Sequence, residues 1–430
     1  VDYQVNEKHK FGLIALILFG INGIIGTGIF LMPNQVYKLV GNGGIIVALL
    51  DAILVLTIAL SFADMSSRYG NNGGAFLYAK AAFGEYIGYV VGFMTYLIRM
   101  IAWAAMIAGL TTALGSTFPV LNTPLASHST SLVIVVLLTI MNLTGVHLVK
   151  AVNSIATVAK LVPLFLFIFI GIFFIKSGNL VPIINYSTNF SNFGSAAVML
   201  LYAFTGFETM TIAAENYRNP EKNLPRAIII AISIVAFIYV MTIVVSNGIL
   251  GAHVANSVVP IQAAFRQITG DIGYAIIATG TLISMLGIVI HASFETPRAG
   301  QAMAQQGALP HKLAQVNKKG LPTLAIIITG ILTLLLTWSG QFAVLAQMSV
   351  VARFVQYIPT ILASIYFYFI KKGQPGTLKL PLGPVIPIVA LLLSVWLLSQ
   401  AETKLLLFGL AGLVVASLCY LLTKAVKKVK

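Results

Sequence analysis

Two glycine-marked stretches interrupt long apolar runs and could do chemistry there. The first reads Gly-Ile-Asn-Gly-Ile-Ile-Gly-Thr-Gly-Ile-Phe from Gly20 to Phe30. The second, Leu201 to Met210, carries a lone Gly206 between Thr205 and Phe207, with Glu208 two residues on. Glycine inside a helix costs about 1 kcal/mol relative to alanine. The cluster at Gly20, Gly23, Gly26 and Gly28 could be a close-packing face, since small residues let helices approach. It could instead mark a helix unwound around Ile24 to Thr27. Unwinding frees backbone N–H and C=O groups, which is tolerated at membrane depth only where the backbone lines a cavity. A half-helix starting near Gly28 would then present bare N–H groups and a partial positive charge, a site for a carboxylate. The half-helix ends approaching Ile24 and Phe204 would present carbonyls, a site for an ammonium. One small molecule carrying both groups is an α-amino acid, although polyamines or other amines could use the carbonyl end alone. The candidate contacts are Ile24, Ile25, Gly26, Thr27 and Gly28 in the first stretch, and Phe204, Thr205, Gly206 and Phe207 in the second.

Charged residues inside apolar runs are the next candidates, because an intramembrane charge is costly and by default functional. Lys160, in Thr-Val-Ala-Lys-Leu-Val-Pro, either snorkels to a nearby interface or points inward at the first stretch. Burial disfavours the charged amine, so such a lysine could load and release a proton; it could also be a fixed charge in an exchanger. Glu208 follows the second interruption and suits a gate, a proton path or a counter-charge for a basic substrate; it could also be a protonated residue of the core. Arg99 and Glu295 either pair with each other or separately read a substrate side chain, and unpaired charge in hydrocarbon is expensive. Glu208 and Glu295 lining a pocket without partners would favour a cationic substrate. Arg353 reads as a packing or gate residue near an interface. Asp51 and Asp64, near the ends of one span, are assigned no chemistry.

The elements that must position these residues follow from composition. The chain has 430 residues, 58% hydrophobic and 9% charged, whereas soluble domains carry about 25% charge. Its apolar runs are each near the roughly 20 residues that cross a bilayer. Twelve spans are predicted, at roughly 11–33, 43–66, 84–115, 130–147, 153–175, 192–214, 226–250, 271–303, 323–339, 342–370, 384–400 and 405–424, joined by short polar connections. The first run is too long and too interrupted by glycine for a signal-peptide core and reads as a retained span. Of the 26 Lys and Arg, Arg99, Lys160 and Arg353 fall within spans. Lys38, Lys176, Arg266 and Lys404 fall on one side, and the other nineteen on the opposite side. Basic residues favour the inside, so both termini are expected in the cytoplasm of a multi-pass protein of the cell membrane. The net charge of +15 is thus a topology signal that faces anionic lipid, not a nucleic-acid footprint. Cys419 is the single cysteine, so no internal disulfide can form.

Gly26 and Gly206 lie five spans apart, and paired interruptions at matching places point to an inverted-repeat transporter. The expected organisation is one transporter domain, residues 1–430. A first repeat covers 11–176, a second covers 192–370, and two helices at 384–424 are appended.

Gly-Ile-Ile-Gly-Thr-Gly-Ile-Phe at 23–30 resembles the first-span signature of the amino acid–polyamine–organocation superfamily of permeases, and Phe-Thr-Gly-Phe-Glu at 204–208 its sixth-span signature. The stretch 215–227, Glu-Asn-Tyr-Arg-Asn-Pro-Glu-Lys-Asn-Leu-Pro-Arg-Ala, and the stretch 297–317, beginning Pro-Arg-Ala-Gly-Gln-Ala-Met-Ala, are similar to further family stretches in the family's order. The resemblance implies an all-α, LeuT-like, five-plus-five inverted repeat with helices 1 and 6 broken, working by alternating access. It implies an aromatic gate at Tyr202, and at Lys160 an ammonium in the place of a sodium ion, so that no sodium is expected. It leaves open proton symport or amino acid exchange, and a small amino acid or a cationic amino acid or polyamine engaging Glu208 and Glu295. Family members usually carry a small or aromatic residue at the position of Glu295, where this chain departs from the pattern.

Other classes find little support. The histidines at 9, 128, 147, 253, 291 and 311 are scattered, without metal-ligand spacing, so neither an enzyme nor a metal site is expected. There is no Walker loop, and Gly-Thr-Gly at 26–28 lies inside an apolar span rather than after a strand, so no nucleotide cofactor is expected. A channel would need a repeated filter or rings of charge. The expected partners are a small-molecule substrate, membrane lipid and protons in the symport case.

Overall fold

A computed structural model describes residues 11–144, 149–183, 192–212, 214, 217–305, 309–318, 320–370 and 376–429, with the side chains of 149–159 and 425–429 excepted. Among the residues given weight above, Lys8, His9, Lys10, His147, Glu215, Asn216, Gln306, Gly307, Ala308, Lys319, Lys371, Lys372 and Lys430 lie outside the described residues. So do 145–146 of the fourth predicted span and Ala213 of the sixth.

Long apolar sequences fold here as helices, because a helix satisfies its own backbone where no water can. The described α-helices are α1 (Leu13–Ile24), α2 (Gly28–Val40), α3 (Gly44–Arg68), α4 (Ala75–Phe83), α5 (Glu85–Thr117), α6 (Pro124–Thr144) and α7 (Val149–Gly171). They continue with α8 (Phe193–Phe204), α9 (Pro220–Leu250), α10 (Pro260–Gln305), α11 (Thr323–Ser339), α12 (Phe342–Phe369), α13 (Val385–Ser399) and α14 (Thr403–Val429). The bridge of Phe11 with Tyr217 is an isolated β pair. Among the described residues seven helical stretches are long and apolar enough to cross a membrane, Gly28–Arg68 and Pro260–Gln305 the longest, and five further apolar helices have 10–17 residues. The protein is therefore a helical integral membrane protein.

The core sits where α3 and α9 run along each other and where α5, α10 and α12 meet. Phe62, Trp103, Tyr239 and Tyr357 are buried within it. By contrast α6 and α14 expose Leu125, Leu137, Leu410 and Leu418, the apolar outer surface that lipid covers.

Three local features depart from the expected spans. Helix α2 runs to Val40, past the expected end at 33. Asn34 explains this, since its amide donates to the carbonyls of Val254 and Ala255, both at 2.9 Å, and pins the extra turns to the segment after α9. The connection before α5 is not a plain loop but contains α4. Gly73 donates its N–H to the Ile212 carbonyl at 3.0 Å, and a side chain at Gly74 would run into Thr211. A further helix from Pro260 precedes the expected span and meets it at Gly270, whose non-helical φ of 72° and ψ of −159° suit glycine. Thus α10 is two helices joined at a kink, and the expected start at 271 holds.

Candidate functional site

Helix α1 stops at Ile24, where Ile25 turns extended (φ −69°, ψ 105°). The helix resumes as α2 at Gly28 with Thr27 at its cap. Helical geometry leaves the first-turn N–H groups of Gly28, Ile29 and Phe30 without an intrahelical acceptor. Glycine is needed at 28 because a Cβ there would lie 2.6 Å from the Ala203 Cα. The break thus presses directly on α8. At Gly26 a Cβ would meet Ile288 at an ordinary 3.7 Å, and the backbone is not left-handed there, so neither packing nor conformation requires glycine at 26. The helix is unwound between Ile24 and Gly28, and close packing requires glycine at 28. The Ile24 carbonyl is not bare as expected, since the Tyr239 hydroxyl donates to it at 3.2 Å.

Helix α8 stops at Phe204. Thr205 is extended, Gly206 takes φ 117°, and a 3-10 helix covers Phe207–Thr211. A Cβ at Gly206 would run into the Gly23 carbonyl of α1, so the two breaks touch through backbone. The Gly206 N–H donates to Glu208 Oε2 at 3.0 Å, and the Tyr357 hydroxyl reaches the same oxygen at 3.3 Å. Glu208 Oε1 forms an ion pair with Arg353 Nη1 of α12. Arg353 is therefore not the interface residue expected from sequence. It is buried and faces the break.

Between the breaks and α5, α10 and α12 lies a cavity of about 60 Å3, several times the roughly 10–15 Å3 that one water needs by this measure. Ile24, Gly26, Thr27, Gly28, Tyr202, Thr205, Gly206, Glu208, Arg99 and Glu295 line it. Ile25, Phe204 and Phe207 do not. Ile25 is fully buried, Phe204 packs on Tyr239 with ring centroids 5.0 Å apart, and Phe207 stacks on Tyr357 at 5.7 Å. A broken helix loses its periodicity, so sequence spacing does not tell which residues of the break face inward.

Arg99 Nη1 lies 3.0 Å from Glu295 Oε2, joining α5 to α10, and His291 Nε2 lies 3.1 Å from Glu295 Oε1. Lys160 lies behind the cavity. Its ammonium donates to the Asn22 carbonyl at 2.8 Å and to Asn22 Oδ1 at 2.6 Å, so it points inward and does not snorkel. Cations are favoured near a helix C-terminus, and Asn22 is two residues from the end of α1. Tyr202 meets Thr27 Oγ at 3.3 Å and packs edge-on against Phe342 at 5.7 Å. Beyond these residues lies a second cavity of about 560 Å3, lined by Gln35, His128, Trp338 and Phe342. Asp51 is buried without a hydrogen bond to either oxygen and is no part of the central cavity. Trp103, His291, Arg353 and Gln356 also line the central cavity. The mid-span charge of Arg353 was a usable signal, while Trp103 and Gln356 carried none.

No cluster of three or more metal-ligating side chains occurs among the described residues. What the arrangement offers is polar backbone, two ion pairs and two aromatic rings around a small enclosed space.

Known transporter sequences resemble this chain over most of its length. A family model described as amino acid permease matches residues 11–419. An uncharacterized transporter of Mycobacterium tuberculosis is 33% identical over 424 residues, covering 90% of this chain and 87% of that protein. The branched-chain amino acid permease BcaP of Bacillus subtilis is 27% identical over 433 residues, covering 95% and 92%. The serine/threonine exchanger SteT of Bacillus subtilis is 27% identical over 429 residues, covering 94% and 95%.

Proposed function

Since this chain belongs to the amino acid permease family, we propose that it is a secondary active transporter of small amino acids, working by alternating access without sodium. It runs as a proton symporter or as an amino acid exchanger. The observation that carries the reading is the meeting of two helix breaks at one small cavity, with unbonded N–H groups from the first turn of α2 at its edge. The substrate carboxylate docks at these N–H groups, which also carry the positive end of the half-helix. The substrate ammonium docks at the carbonyls around Ile24 and Phe204, sharing the Ile24 oxygen with Tyr239. Tyr202, resting on Thr27 and Phe342, gates the way between the two cavities.

The reading extends to the whole chain. Twelve crossings form a LeuT-like five-plus-five inverted repeat, 11–176 and 192–370, with 384–424 appended. Both termini lie in the cytoplasm, and the protein resides in the cell membrane. Lys160, bonded at the end of α1, stands where a sodium ion would otherwise brace the break, and it is either the proton carrier or a fixed charge. A cationic amino acid or polyamine draws no support from the site, since Glu208 and Glu295 each already face an arginine.

Uptake into proteoliposomes tests the proposal. Sodium-free uptake of an L-amino acid is expected, saturable and stereoselective. Stimulation by an inward proton gradient selects symport, and stimulation by internal amino acid at equal pH selects exchange. Uptake that requires sodium, or that is confined to diamines, sinks the proposal.

A further inference from the structure

We infer that the Arg99–Glu295 pair reads the substrate side chain and selects an α-amino acid whose side chain is small, uncharged and carries both a hydrogen-bond donor and an acceptor, a hydroxyl or a carboxamide. This rests on the amino acid reading of the central cavity. The pair belongs to α5 and α10, not to the broken helices, so it is separate from the groups that take the α-carboxylate and α-ammonium. Both side chains line the cavity, and both are partly accessible within it, at 13% and 25%.

The pair retains unused capacity of both kinds. Glu295 accepts through one oxygen from Arg99 and has His291 beside the other, while a carboxylate offers about four lone-pair sites. Arg99 meets Glu295 through one nitrogen, while a guanidinium carries five N–H donors. A hydroxyl or a carboxamide satisfies a remaining donor of Arg99 and a remaining acceptor of Glu295 at once, leaving the ion pair intact. A basic side chain would crowd Arg99, and an acidic one would crowd Glu295. Either would have to split a buried pair, which exposes an uncompensated charge. An aliphatic side chain would shut these groups off from water without replacing the lost hydrogen bonds. The cavity lining also includes the apolar Ile98 and Ile288, which suit the short aliphatic stem of such a substrate.

The test compares uptake of serine, asparagine, valine, lysine and glutamate in proteoliposomes for the wild type and the Arg99→Met/Glu295→Met double variant. The double variant replaces the pair by apolar groups of similar size, the change a buried ion pair tolerates best. Wild-type kcat/KM is expected to favour serine or asparagine over valine by tenfold or more, and the two polar arms distinguish hydroxyl from carboxamide. In the double variant the polar-to-aliphatic ratio is expected to fall at least tenfold through KM. An unchanged ratio overturns the inference, as does a wild type that prefers valine, lysine or glutamate. A parallel fall for every substrate also overturns it, because a mere latch between α5 and α10 would act on all alike. If the double variant does not reach the membrane, Glu295→Gln is judged by the same ratio. A wild type that carries no L-amino acid at all sinks the transporter proposal itself, a result distinct from a failure of side-chain selection.

Discussion

The two helix breaks solve one physical problem in opposite ways. At the first, the chain passes through three residues and re-enters an α-helix at Gly28, leaving first-turn N–H groups for a ligand. At the second, the chain supplies its own anion. Glu208 folds back so that its carboxylate takes the Gly206 N–H, while Tyr357 and Arg353 hold that carboxylate from α12. Only a short 3-10 helix follows. In the proposed function the first break is the receptor for the substrate carboxylate, whereas the second already holds an internal one. Two interruptions that look equivalent in sequence therefore differ in what remains for a substrate.

The sharpest way to break this contrast is at the glycines. Gly206→Ala should reduce uptake to below about a hundredth. Its methyl would run into the Gly23 carbonyl, and a non-glycine residue at φ 117° adds strain on the order of 1–3 kcal/mol. Gly26→Ala has ordinary room beside Ile288, so thermal unfolding should stay near wild type while substrate KM rises a few-fold. Equal losses of melting temperature in the two variants would refute the contrast.

The internal anion gives a second test, read as stability. Glu208→Gln leaves Arg353 buried without its counter-charge, a loss of about 3–5 kcal/mol. The Glu208→Gln/Arg353→Met double variant should unfold at a higher temperature than Glu208→Gln alone. Losses that simply add would mean that the pair is not coupled. The mildest change is Tyr239→Phe, which removes the one side-chain hydrogen bond on the Ile24 carbonyl. It should cost about 0.5–1.5 kcal/mol, read as a small drop in melting temperature, with uptake preserved. A collapse of uptake in Tyr239→Phe would show that the first break depends on side-chain capping as much as the second.

Much of this site was legible because its components violate the rules of an apolar helix. Glycine at mid-span, Lys160 in a hydrophobic run and Glu208 beside Gly206 each stand out against their neighbours without any fold in hand. Pairing was legible only in part. A bond between Arg99 and Glu295 is one of the two readings offered from the sequence and the structure shows it, while the partner of Glu208 was not foreseen. Arg353 and Glu208 come from α12 and the second break, and Arg99 and Glu295 from α5 and α10. No local pattern says which buried charges will meet. The direction of Ile25, Phe204 and Phe207 was hidden for another reason, as helical phase is undefined once the helix stops. Helix α4 was missed because nine residues between glycines leave too little periodicity to distinguish a helix from a polar turn. The span start at 271 was legible because Gly270 does end a helix there, while the helix from Pro260 before it is too short to read as a span.

The hydrogen bond from Gly73 to Ile212 links the N-terminal end of that overlooked helix to the second break. A swing of the 207–212 stretch must either break this bond or carry the N-terminal end of α4 along. Under the proposed alternating access the nine-residue helix would act as the follower of a cam, and a clamp on it, such as an engineered cross-link to α12, would then stall uptake without entering either cavity.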